Sequence, residues 1–423
     1  MNAKYLCLKI YPFLLLGFFF TLTGCSDNNG TSGPTPTSTI TVSGKAVDQI
    51  GSGIVSATIV IGDSIKTTAA DGSFSISNVT VPYDVKIITG GTGMVYKGLT
   101  TASPKLLGLG AAVTPNSATL NVTLPALVAN QSATVIFTDQ STVQASDNFT
   151  FPATAANITV DWAAGSGTSI SGKIIVLVYT LAGGNITTYD KTGEKPQALN
   201  NGGVQAVNFT AAELTTNPGE LTISGSLTIP AGFTSPNNLL GLKYITNASN
   251  QYVSVIDYFS TAAFNYVVPT GLATTPQFVV GGGVTGPVSI QKTSRYVIAT
   301  APNPSLTIVL ETPPNLTTPP NAATNIDTNT NFTYTTGSGT GIYLASFSTV
   351  SKTFYVFTNS TTTKIPNLNA FGLGVGSSLA YNWNVIRIND ITTTDAFVAA
   401  PLLFNTLFSA TATSEQRPFT SAP

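Results

Sequence analysis

Apolar residues recur along this chain at every second position in short runs, separated by Gly, Asn, Asp, Pro, Ser and Thr. That period sends alternate side chains to opposite sides of an extended backbone and predicts half-buried strands. Ile40-Thr41-Val42, Ala57-Thr58-Ile59-Val60-Ile61, Ser73-Phe74-Ser75-Ile76 and Val85-Lys86-Ile87-Ile88 are the first such runs. Asp71-Gly72, just before Phe74, predicts a hairpin, because glycine accepts the positive φ of a tight turn. Further strands are predicted at 134–137, 158–162, 173–179, 221–229 and 252–259. Thr210-Ala211-Ala212-Glu213 fits a capping box on a single helical turn. Towards the end come Phe332-Thr333-Tyr334, the run 342–347, Phe354-Tyr355-Val356-Phe357 and Tyr381-Asn382-Trp383-Asn384-Val385. Strands at such spacing predict an all-β chain of tandem β-sandwich domains.

One apolar run has a different character. Residues 11–22 include Leu14, Leu15, Leu16 and Phe18, Phe19, Phe20, preceded by Lys4 and Lys9. This is the layout of an export signal, and the run falls short of the roughly 20 residues of a permanent membrane helix. It ends in Leu22-Thr23-Gly24-Cys25, which resembles the lipobox of bacterial lipoproteins. The resemblance implies a signal peptide at 1–24 and cleavage before Cys25, which carries diacylglycerol and is usually acylated again on its amine. Each buried methylene contributes about 0.8 kcal/mol, and two or more chains hold stably. Ser26 stands where a familiar inner-membrane retention signal needs Asp, which favours the outer membrane or cell surface, although Asp27 follows. The cysteine and its Gly-, Ser-, Thr- and Pro-rich linker fill 25–38, a flexible coil spanning roughly 20 Å.

The remaining length predicts three domains, at 39–126, 127–304 and 305–423. In the first, Ser43-Gly44-Lys45-Ala46-Val47-Asp48, Ala57-Thr58-Ile59-Val60 and Thr68-Ala69-Ala70-Asp71-Gly72-Ser73-Phe74 resemble the carboxypeptidase regulatory-like domain. That resemblance covers 43 to about 88 and implies a transthyretin-like sandwich, usually an accessory module without catalysis. The middle resembles no family, and a division near Pro230 is open. The last domain begins with Pro313-Pro314-Asn315 and Pro319-Pro320-Asn321, and its strand order is similar to a fibronectin type III or related Ig-like sandwich. Its aromatic positions are shifted and its loops longer than in that family.

Composition removes several classes of function. Loss of Lys4 and Lys9 with the signal takes the basic count from 17 to 15 against 18 acidic residues. That balance gives no affinity for a phosphate backbone, so nucleic acid is not expected as a partner. The chain is 42% hydrophobic and only 8% charged, enough to fill cores. The two cysteines are Cys7, in the signal, and Cys25, consumed by lipid, and there is no histidine. Ser-His-Asp and Cys-His catalysis, disulfides and histidine- or cysteine-held zinc are therefore excluded. No cofactor, metal site or catalytic residue is expected.

The remaining candidates read structurally. Trp162 alternates with Ile158 and Val160, and Trp383 with Tyr381 and Val385, which points both rings into cores. Asp327-Thr328-Asn329-Thr330-Asn331 begins like a calcium loop, but Phe332 replaces the required glycine and Ser338 the bidentate glutamate. It therefore reads as a turn. Gly281-Gly282-Gly283, Gly337-Ser338-Gly339-Thr340-Gly341 and Gly372-Leu373-Gly374-Val375-Gly376 lack a following helix and read as hairpin and loop glycines. Glu194, Glu213, Glu220 and Glu311 show no pairing motif for glycoside hydrolysis. The expectation is a non-catalytic, lipid-anchored envelope protein that acts in adhesion or binding, or as a scaffold. It would meet the membrane through Cys25 and an unidentified protein or glycan through its domains. A carbohydrate-binding lipoprotein of a polysaccharide-handling system is the alternative, and a carboxylate glycosidase a distant third.

Overall fold

The computed structural model describes residues 38–48, 51–108, 114–244, 253–288, 290–399 and 410–423. Strands β1 (Thr39–Val47), β2 (Thr58–Ile61), β3 (Ser64–Thr67), β4 (Ser73–Thr80), β5 (Tyr83–Thr89), β6 (Thr92–Leu99) and β7 (Lys105–Leu107) form a first group. A second comprises β8 (Asn116–Thr123), β9 (Gln131–Thr138), β10 (Gln144–Thr150), β11 (Ala155–Trp162), β12 (Ser169–Ala182), β13 (Asn185–Asn200), β14 (Val204–Asn208) and β15 (Thr215–Thr216). The third holds β16 (Glu220–Thr228), β17 (Thr234–Lys243), β18 (Ser254–Phe259), β19 (Ala263–Pro269), β20 (Gln277–Thr285), β21 (Lys292–Ala299) and β22 (Asn303–Val309). The fourth holds β23 (Leu316–Thr318), β24 (Ala323–Ile326), β25 (Phe332–Tyr334), β26 (Gly341–Ser348), β27 (Thr353–Thr358), β28 (Thr362–Thr363) and β29 (Ala380–Asn389). Helix α1 (Thr394–Ala399), β30 (Ala410–Thr413) and β31 (Arg417–Ser421) complete it.

The all-β expectation holds, and the strands forecast from alternation are present, except that Tyr252, where one forecast begins, lies outside the described residues. β11 shows the cause most simply: Ala156, Ile158, Val160 and Trp162 are buried while their neighbours are exposed. Small sheets run β4-β1-β7, β11-β8-β14, β10-β9-β12-β13-β15, β19-β16-β22 and β23-β25-β28. One long sheet runs β18-β17-β20-β21-β30-β29-β26-β27-β6-β5-β2-β3, with β31 and β24 attached beside β29.

Four apolar cores lie between these sheets, and several strands serve two of them. In β12, Ile174, Val176 and Val178 enter the core of the second group, while Ile175, Leu177 and Tyr179 enter that of the third. In β26, Ile342 and Leu344 join the core of the first group, and Tyr343, Ala345 and Phe347 that of the fourth. A strand covered on both faces has no solvent side, which is why these segments read as unbroken apolar runs.

The groups are joined by hydrogen bonds as well as by shared cores. β6 pairs in parallel with β27, Thr92 opposite Thr353 through Tyr96 opposite Phe357. The Tyr96 ring stacks on Phe357 with centroids 4.4 Å apart, and its hydroxyl donates to the Leu107 carbonyl at 2.8 Å. In the first turn of α1, Asp395 accepts the N–H groups of Thr100 (2.9 Å) and Thr101 (3.1 Å). β21 pairs antiparallel with β30, joining the third and fourth groups. There the buried Arg387 donates to Glu311 at 2.8 Å, to the Thr336 carbonyl and to Asn389, while Arg295 bridges Glu311 (3.0 Å) and Asp390 (2.9 Å). Between the second and third groups, Gln144 donates to the Leu242 carbonyl and to Ser254, and accepts the Tyr244 N–H.

Some readings of local structure change. The hydrogen bonds of β8, which sequence grouped with the first domain, go to β11 and β14. β16 and β17, on either side of Pro230, face the same core, and the sheets change at 217–219 instead. Gly281, Gly282 and Gly283 are not loop residues but the middle of β20, where neighbouring strands come too close to Gly281 and Gly282 for side chains. Helix α1 had no forecast, since its six residues carry too few apolar positions to show a period.

Candidate functional site

Leu22, Thr23, Gly24 and Cys25 lie outside the described residues. The other candidates have structural partners. Trp162 is buried and donates its indole N–H to the Gly167 carbonyl at 2.9 Å. Trp383 is fully buried against Phe332 and Phe347. Asp327 closes its turn by accepting the N–H groups of Asn329 and Thr330, each at 2.9 Å.

The four candidate glutamates are each committed. Glu194 accepts the N–H and hydroxyl of Thr274, both at 2.7 Å, and Glu220 accepts the Tyr189 N–H. Glu213 receives the Thr210 N–H at 2.8 Å, as the capping box requires, and pairs with Lys195 at 2.8 Å. The Lys195 contact first, then those of Thr210, lowers its pKa from 4.5 to about 2. Glu311 lies between two arginines. A carboxylate held as an ion-pair or cap acceptor is poorly placed to give or take a substrate proton. Among the described residues, no group of three or more acidic side chains gathers as a metal site.

What sequence reasoning did not locate is an outward face on the third group. Residues directly opposite one another on paired strands point to the same side. Tyr258 of β18 lies opposite Leu239 of β17, Leu239 opposite Gly281 of β20, and Gly281 opposite Tyr296 of β21. A second row runs Val255, Gly241, Val279 and Ile298. Leu240 and Val280, one residue away, enter the core, so both rows face away from it. Tyr258 is 61% exposed, Ile298 58% and Val255 37%. Tyr296 is half-buried, and burial raises its hydroxyl pKa.

The glycines give this face its form. A Cβ on Gly281 would collide with the Tyr296 ring, so the missing side chain lets that ring lie low over β20. Polar rows border the apolar stripe. On one side stand Asn237, Gly283, Ser294 and Thr411, with the Ser294 and Thr411 hydroxyls 3.0 Å apart. Lys243 and Gln277 stand on the other. Burial lowers the Lys243 pKa, and no carboxylate occurs in the four rows. By register the same side continues to Lys292, Thr413 and Ile386, which line a cavity of about 640 Å³ under the β20–β21 turn together with Val288 and Ile290. The sequence signal for the site was the run Val279-Val280-Gly281-Gly282-Gly283, whose glycines sit inside a β-branched strand.

The fold and this face define an all-β protein of stacked, sheet-sharing sandwiches. No family model matches the chain, and no curated protein does. Among solved structures it is similar to the Bacillus anthracis TIE protein, at 11% identity over 64% of this chain and 50% of that one, with a TM-score of 0.17. It is also similar to a Bacteroides ovatus protein described as an adhesin, at 8% identity over 50% and 100%, with a TM-score of 0.18. A Ca2+-stabilized adhesin with which an Antarctic bacterium binds ice gives 10% identity over 90% and 98%, with a TM-score of 0.16. This chain spans half the length of the first of these proteins. At such TM-scores the overall arrangement is not shared, so the roles of those proteins stay with them.

Proposed function

We propose that this chain is a non-catalytic, lipid-anchored protein of the cell envelope that binds a surface ligand from a rigid β scaffold. The observation that carries the reading is the outward face with exposed Tyr258, Ile298 and Val255 and half-buried Tyr296, mounted on a sheet continuous through three of the four strand groups. A site on strands holds its geometry better than one on loops, as recognition of an extended surface requires. The committed glutamates and the missing histidine favour binding over turnover. Cys25 is the proposed lipid attachment, after Leu22, Thr23 and Gly24, and the outer membrane or cell surface the proposed address.

Two measurements test this, one on whole cells and one on the purified chain. Metabolic labelling with an alkyne fatty acid should mark the wild type and leave Cys25→Ala unmarked. Label retained in the variant would remove the anchor from the proposal. Beads coated with the purified chain should adhere to polysaccharide or protein surfaces and release no product from either. Product release lost on changing one glutamate would replace binding with catalysis.

A further inference from the structure

We infer that the outer face of β18, β17, β20 and β21 is a carbohydrate platform whose ligand is a neutral glycan chain. The inference rests on the binding role proposed above and adds the site and the ligand class. Four observations point the same way.

The first is shape. Tyr258 and Tyr296 stand at the two ends of one cross-strand row with only Leu239 and Gly281 between them. Three strand spacings separate them, roughly 14 Å. Within this span Gly281 lies beneath the Tyr296 ring, and in the neighbouring row Gly241 lies beneath the Val253 side chain. The second is chemistry. A sugar ring presents C–H bonds on its face, which suit the electron-rich face of an aromatic ring, and hydroxyls at its edge. The apolar stripe here is bordered by Asn237, Ser294 and Thr411 on one side and Gln277 on the other, uncharged groups that both donate and accept.

The third is charge. The four rows contain no carboxylate, and their one cation, Lys243, is buried with a lowered pKa. Lys292, the exposed cation on the same side, lies four residues beyond Tyr296 along β21, roughly 13 Å away. A face so neutral selects neither an acidic polymer nor a basic one. The fourth is size. The exposed apolar groups of the two rows are Tyr258, Ile298 and Val255, with Val279 buried between them, and together they cover no more than about 200 Å². A stable protein partner, a second copy included, needs about 800 Å² on each side.

The test uses the full mature chain and a panel of neutral hexasaccharides (gluco-, manno-, xylo- and galacto-configured) in titration calorimetry. At least one should bind, with affinity unchanged between 0.05 and about 0.5 M salt, as expected for contacts without ion pairs. Tyr258→Ala should weaken that binding tenfold or more at an unchanged Tm, because the ring is largely exposed. Val204→Ala, on the exposed edge strand β14, should bind as the wild type does. Several results would overturn the inference: equal affinity in Tyr258→Ala, binding only of acidic polysaccharide and only at low salt, or a wild-type dimer that Tyr258→Ala makes monomeric. Failure of every hexasaccharide while chain-coated beads still adhere to protein surfaces would overturn the glycan assignment and leave the binding role standing. Beads that adhere to nothing would remove both.

Discussion

Phe332 and Phe347 pack against Trp383 in the fourth core, with the Phe332 centroid 4.9 Å from the indole. The indole N–H has no partner among the described residues, so the ring is retained for its packing alone. Trp383→Ala should therefore cost about 3–5 kcal/mol in denaturant unfolding, the range for truncating a large buried aromatic. Trp383→Phe should cost distinctly less, because it removes an unsatisfied donor along with the lost area. A cost below about 1 kcal/mol for the alanine variant would mean that the ring is not buried. Arg387 poses the opposite case, a fully buried cation whose fork is filled by Glu311, Asn389 and the Thr336 carbonyl. Removing one partner of a buried pair costs about 3–5 kcal/mol, because the other is left charged and alone. Glu311→Gln and Arg387→Met should each fall near that range, and the double variant should cost less than their sum. Strict additivity in the cycle would show the pair to be uncoupled. Burial was legible for the tryptophan, through its alternation with Tyr381 and Val385. It was not for Arg387, whose partner lies 76 positions away.

β12 shows how an element can answer to two cores. Val176 packs within the second group and Leu177 against the third. Leu177→Ala should cost about 2–5 kcal/mol, and Val176→Ala somewhat less since fewer methylenes are lost. Amide exchange should then separate the two: protection should fall across β16–β20 in Leu177→Ala and across β8, β9 and β11 in Val176→Ala. Identical patterns would show that the two cores open as one unit. The run of six apolar residues was visible in sequence as a strand. Which side met which core was not, because a run without polar positions carries no sign of orientation. The Tyr258 row was hidden for a related reason. Each of its residues sits in a different strand, and only the register sets them side by side.

For the whole molecule, pH dependence follows from composition and burial together. With no histidine, stability should stay nearly flat from about pH 6 to 9. Above that range the tyrosines govern. Burial raises the hydroxyl pKa of Tyr96, Tyr244, Tyr266 and Tyr334 well above the ordinary 10, and that of Tyr381 to about 12. The unfolded chain releases these protons near pH 10 while the folded chain holds them, so stability falls as pH rises beyond 10. Alkaline titration should accordingly show most tyrosinate absorbance appearing together with loss of the β-sheet circular dichroism signal. Absorbance complete well before that loss would contradict the burial. Shared cores and the β6–β27 and β21–β30 pairings also link groups distant in sequence, and Ser38–Pro423 forms one compact unit.

The sequence by itself determined the all-β class, the positions of most strands, the capping box at Thr210 and the inward direction of both tryptophans. These depend on period two and on local turn chemistry, which act within a few residues. Only the tertiary structure decided that β8 belongs with β11 and β14, that β6 completes a sheet with β27, and that the glycines of β20 floor an exposed tyrosine face. Each of those depends on pairing between segments that the chain separates by tens to hundreds of residues. Backbone hydrogen bonds are alike for every side chain, so the partner of a strand is chosen by the fit of whole faces, and no local pattern records it.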